Sequence, residues 1–233
     1  MRELDAVSDP EALTGAMIAG GFGIAWALWG ASGLTGGPAA AVRAGAIVIG
    51  VLIVLGSALL QRLARGADRA ARGADPRARS GSLFSSPAYR RVLALEVTAL
   101  VGGRVLLGST GNGEYTIAWF AGVVGIHFVV FGRLFWVGFY WLGGALLAAG
   151  LAGAVLGLAG GGSGTIRAVS GLIAAASLFA AGGWTVLATR ASVRARRPRS
   201  GLNTAFKICS ARGGAICPPA REPATLLLQF GYT

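Results

Sequence analysis

Six apolar stretches, each close to the length of a bilayer-crossing helix, follow one another along the chain with polar or glycine-rich breaks between them. They run from Leu13 to Leu34, Ala39 to Leu60, Val92 to Gly108, Tyr115 to Phe131, Phe135 to Leu158 and Ala168 to Ala188. The hydrocarbon core of a membrane is about 30 Å thick and takes roughly 17–25 apolar helical residues to cross, so each stretch predicts a spanning helix. The breaks are of the kind that stop helices: Thr35-Gly36-Gly37-Pro38, Ser109 to Glu114, the two-residue Gly132-Arg133, and Gly160 to Gly164. Glycines and proline suit turns, and proline suits the first turn of the helix that follows. The expected fold is all-α, a polytopic integral membrane bundle of about six transmembrane helices. Its layout is an N-terminal segment 1–12, helices 1–2 over 13–60, a linker 61–91, helices 3–6 over 92–188, and a tail 189–233.

Composition agrees with the pattern. Hydrophobic residues make up 54% of the chain and charged residues 13%, about half the charged share of a soluble domain. The N-terminal segment carries Glu3, Asp5, Asp9 and Glu11 against Arg2, which is not the positive start of a secretory signal peptide, so the first run reads as a retained helix. The net charge of +12 would point a soluble protein towards nucleic acid. Here the arginines sit between the apolar runs, which argues against a nucleic-acid partner and for membrane topology. Linker 61–91 holds eight of them, at positions 62, 65, 69, 72, 77, 79, 90 and 91. With the linker in the cytoplasm, a six-helix chain has both termini there too, and only Arg43, Arg104 and Arg167 fall towards the outer half. The positive-inside rule favours that orientation in the cell membrane. The basic linker and the run Arg190 to Arg199 also suit contact with anionic lipid.

The linker contains a tandem repeat, Ala64 to Asp68 recurring as Ala71 to Asp75. Its matching positions are small or charged rather than large and apolar, so it reads as low-complexity linker and not as a coiled coil. Beyond Gly201 the composition changes, with the only lysine, Lys207, both cysteines, Cys209 and Cys217, and three prolines. Disorder is the expectation for such a tail. A reducing cytoplasm argues against a disulfide there, and the cysteine spacing fits no zinc site.

Ionisable groups at membrane depth are the candidate chemistry, because they are costly unless paired or hydrated. Glu96 lies four residues into the third run and His127, the only histidine, four residues before the end of the fourth. A hairpin of these two helices would put both about 6 Å inside one boundary, within reach of each other. Arg43, Arg104 and Glu114 form a second polar layer near the other boundary, where interfacial anchoring is the expected role. Small residues at four-residue spacing, Gly153, Gly157 and Gly161, mark a candidate helix-packing face. Phe131, Phe135, Trp136, Phe139, Tyr140 and Trp141 form an aromatic belt at the fourth-to-fifth connection. There is no nucleophile–base arrangement, no His-Glu-x-x-His and no phosphate loop, so nothing calls for catalysis, a metal or a cofactor.

The segment Gly125-Ile126-His127-Phe128, with Leu134-Phe135, Tyr140 and Gly143-Gly144 after it, resembles a pattern of uncharacterised bacterial multi-pass membrane proteins. Those proteins carry a proline and an alanine soon after the His-Phe pair, where this chain has Val130 and Gly132. The resemblance covers the fourth and fifth helices and implies a shared membrane fold, with no activity attached. The expectation is a non-catalytic membrane protein with a structural or assembly role, open to homo-oligomer formation. A proton-linked small-solute transporter using Glu96 and His127 is the alternative.

Overall fold

A computed structural model describes residues 10–71, 87–134 and 136–211. Among these residues there are six long α-helices and no strand: α1 Pro10–Ala31, α2 Gly36–Ala71, α3 Pro87–Ser109, α4 Thr116–Leu134, α5 Gly138–Leu158 and α6 Ser163–Ala211. A single 3-10 turn, Gly113–Tyr115, precedes α4. All six helices are long and apolar enough to cross a membrane, so the chain is an all-α, multi-pass membrane protein. Large apolar side chains stand on its outside, with Leu95 71% and Leu158 82% exposed, as a lipid-facing surface requires.

Two helices are much longer than their apolar runs. Helix α2 continues through Ala71, eleven residues past Leu60, and α6 through Ala211. In the α2 extension eight of the eleven residues are Ala, Arg or Leu, strong helix formers, so helix outlasts hydrophobicity there. The first copy of the tandem repeat is therefore helical rather than loose linker. The second copy, Ala71 to Asp75, lies outside the described residues but for Ala71. Helix also occupies 201–211, where composition suggested disorder; the tail from 212 onward lies outside the described residues. The chain divides into two units, 1–191 and 192–233, and the described part of the second is the last stretch of α6.

Within the first unit α1 packs antiparallel and close against α2 and α6, and α4 against α5. A Cβ placed on Gly20 of α1 would stand 3.1 Å from the Gly50 carbonyl oxygen of α2, and one on Gly171 of α6 would stand 2.6 Å from Gly30 Cα of α1. On α4 and α5, a Cβ at Gly143 would lie 2.7 Å from the Gly125 carbonyl oxygen, and one at Gly150 equally close to that of Ala118. Backbones approach this closely only where side chains are absent, and in lipid such contact replaces the hydrophobic drive of soluble cores. The main core is drawn from α1, α4, α5 and α6 with Ala46 of α2, and has Trp26, Ala27, Ile117, Leu146, Ile166 and Leu178 among its members. Helix α2 completes a second cluster through Ile53 and Leu60 against Leu13 and Val186. Gln61 Nε2 donates to Thr14 Oγ1 at 3.0 Å and ties α2 to α1 there.

Helix α3 stands apart. Only 6% of its apolar window is buried, against 28–39% in the other five. It rests on α4, where Trp119 Nε1 donates to the Ala99 carbonyl at 3.1 Å and the indole fills the space left open by Gly103.

Candidate functional site

Two polar clusters lie at opposite ends of the bundle. The first is Glu96 on α3 and His127 on α4. Measured from the ends of the apolar spans, Tyr89 and Arg133, the two residues are seven and six positions in, which is about 10 Å for each. Nδ1 of His127 stands 3.0 Å from Oε2 of Glu96, and the two side chains are 10% and 13% exposed. The approach is too far out of line for a formed N–H···O hydrogen bond, so the contact is electrostatic, an ion pair when the imidazole is protonated.

Aromatic rings close this pair off. The His127 ring centroid is 4.0 Å from that of Phe131, Phe131 stacks on Tyr89 of α3 at 5.4 Å, and Phe128 stacks on Phe139 of α5 at 5.6 Å. Tyr140 covers Gly132, while Trp141 is 83% exposed. Part of the expected aromatic belt is thus a wrapping around the imidazole. Phe135 lies outside the described residues.

The second cluster is a polar cleft of about 380 Å³ at the end of the bundle that carries connections 32–35, 110–115 and 159–162. Trp29 of α1, Arg104 of α3, Glu114 of the 3-10 turn and Ser163 and Arg167 of α6 line it, over a floor of Thr116 and Ile117. Two of the bordering connections are built in the same way. At the end of α3, Gly111 adopts φ +77°, and the Asn112 and Gly111 amides donate back to the Leu107 and Gly108 carbonyls. At the end of α5, Gly160 has φ +86°, and the Gly161 and Gly160 amides donate to Leu156 and Gly157. Both are Schellman turns, which reverse the chain in few residues and need a left-handed residue where glycine is unstrained.

Side chains in the cleft are held unequally. Arg167 donates from Nε to the Ser163 carbonyl at 3.1 Å and from Nη2 to Ser163 Oγ at 3.2 Å. Thr116 Oγ1 donates to the Gly113 carbonyl at 2.7 Å. Among the described residues Arg104 makes neither hydrogen bond nor ion pair, and Glu114 pairs with neither arginine. The structure therefore brings Arg104 and Glu114 of the expected outer layer together, leaves Arg43 exposed on α2, and adds Arg167, Trp29 and Ser163. Sequence reading missed that convergence because the contributing residues lie on three separate helices and a turn.

Of the candidate packing glycines, two face other elements. A Cβ on Gly153 would collide with Ser170 Oγ, and one on Gly157 would meet Tyr115 and Ile166. Gly161 instead completes the turn after α5. No group of three or more His, Cys, Asp or Glu side chains suited to a metal occurs among the described residues. Compared with known proteins, the chain matches no family model, no curated protein and no solved structure.

Proposed function

We propose that this chain is a non-catalytic membrane protein with an assembly role, and that α3 is the surface it offers to a second copy of itself. The observation that carries this reading is the 6% burial of the α3 window. Val97, Val101 and Val105 lie along the exposed part of that helix, a smooth β-branched stripe beside the small Gly102, which has nothing within 4 Å. Stripes of this kind suit close helix association in lipid. The Glu96–His127 contact then serves as a lock holding α3 to α4, since burying either group alone is costly.

Cross-linking in native membranes tests the reading. In a chain with Cys209 and Cys217 replaced by serine, Val101→Cys is expected to yield a dimer-sized product with a short bismaleimide. Leu151→Cys, equally exposed on α5, is expected to yield none. Monomer alone from Val101→Cys removes the assembly reading.

The pairing of a carboxyl with an imidazole at membrane depth also suits proton exchange, which keeps the proton-linked transporter as a second reading. Substrate-dependent proton flux in liposomes that disappears in Glu96→Gln would replace the first reading with the second. For orientation we propose both termini in the cytoplasm and the Arg104–Arg167 cleft on the outer side of the cell membrane. The arginine distribution supports this, as does the position of the cleft at the opposite end from the N-terminus.

A further inference from the structure

The cleft between α1, α3, α4 and α6 has a composition that a mere interfacial anchor does not need. An anchoring arginine extends to the headgroups and is satisfied by water or any phosphate. Here two arginines from different helices converge on one open cleft of about 380 Å³, within the range of about 300–1,000 Å³ typical of small-molecule sites.

We infer that this cleft binds a phosphate ester bearing a protonated amine, the chemistry of a phosphoethanolamine group, with the phosphate between Arg104 and Arg167 and the ammonium at Glu114 and Trp29. Arginine is the side chain best matched to phosphate, because its planar fork donates two parallel charge-assisted hydrogen bonds. Arg167 uses its Nε and one Nη2 hydrogen on Ser163, which fixes the guanidinium and leaves Nη1 to reach a ligand. Arg104 has its whole set of donors open. A purely anionic ligand would meet Glu114 as a repulsive charge in the same cleft. A ligand carrying its own cation turns Glu114 into a partner, and the neighbouring Trp29 ring adds a cation–π face. Trp29 packs against Trp26, at 6.0 Å between ring centroids, and against Phe120 at 5.4 Å, which fixes the indole in the wall of the cleft. The depth agrees with a headgroup. Arg104 lies five residues before the end of α3 and Arg167 four residues into α6, about 6–8 Å inside the helix ends.

The group can belong to a phospholipid or to a soluble phosphoethanolamine, and two arms separate these sources. In the first, the full chain in mild detergent is offered equimolar phosphatidylethanolamine and phosphatidylglycerol, and retained lipid is counted by native mass spectrometry. Wild type is expected to retain phosphatidylethanolamine about threefold or more over phosphatidylglycerol, Glu114→Gln to reverse that order, and the double variant Arg104→Gln/Arg167→Gln to lose about tenfold in retention of both. In the second arm, O-phosphoethanolamine is added to the delipidated chain and the thermal unfolding midpoint is followed. A rise that is absent in the double variant assigns the site to the soluble compound. The wild-type comparison stands by itself if a variant fails to fold. Equal retention of the two lipids, or preference for phosphatidylglycerol, together with no response to O-phosphoethanolamine overturns the inference. A folded double variant that retains both lipids as wild type does and responds to O-phosphoethanolamine as wild type does overturns it as well.

Discussion

At the scale of single residues, the contact between Glu96 and His127 makes a definite forecast. Removing one partner leaves the other nearly buried and uncompensated, at a cost of about 1–3 kcal/mol, whereas replacing both by apolar groups removes the need for compensation. His127→Ala is expected to lower the unfolding midpoint in detergent, and Glu96→Leu combined with His127→Phe to recover most of the loss. Additive losses in the double variant would show that the groups do not depend on each other. This pairing was legible in the sequence, because the only histidine and a membrane-depth glutamate lie at matching depths on consecutive helices. The cleft was not. Arg104 and Arg167 are separated by three connections between helices, and nothing in a one-dimensional pattern says that α3 and α6 bring them together. Glycine positions give a second forecast. Gly143→Leu forces a side chain against the Gly125 carbonyl and Val129, and overpacking of this kind costs about 1–3 kcal/mol. At Gly102 nothing of the same chain stands within 4 Å, so Gly102→Leu should leave the midpoint of the single chain unchanged or raise it slightly, by helix propensity, while lowering the yield of the α3 cross-link between copies.

At the scale of helices and turns, hydropathy located the elements and misplaced their ends, since a transfer scale records where lipid stops and not where hydrogen bonding stops. Helix α3 begins at Pro87, five residues before its apolar run, and α2 ends eleven after; the basic residues in those extensions favour helix as much as the apolar ones do. The turn glycines matter because of their left-handed backbone. Gly111→Ala forces an L side chain into φ +77°, which costs about 1–2 kcal/mol, and should lower the midpoint accordingly while leaving helix content by circular dichroism intact. Helix α3 is the least buried of the six spans, and the Trp119 indole is one of its clasps. Trp119→Phe removes the bond to Ala99. Amide hydrogen exchange is expected to speed up along 95–106 and to stay unchanged along α5; equal protection of α3 in both proteins would show that the clasp contributes nothing.

For the whole molecule, the arrangement of the ends is the testable property. Reporter fusions at residues 36, 112 and 163 are expected to be active outside, and those at 75 and 200 inside; an external signal at 75 or 200 reverses the orientation. The order of packing was beyond the reach of the sequence. The pairs Gly20–Gly50, Gly30–Gly171 and Gly125–Gly143 hold the helices together, yet with 39 glycines in the chain no spacing rule distinguishes those that touch from those that face lipid. That mode of packing also shapes how the protein can change over generations. Every missense substitution of a glycine adds atoms, so a crossing made of bare backbone has no smaller neighbour in sequence space to drift to, and its genetic tolerance runs in one direction only. The lipid-facing leucines and valines are free to exchange among themselves. Inheritance should therefore be strictest where the side chain is least, with the smallest residues at the crossings as the slowest to diverge.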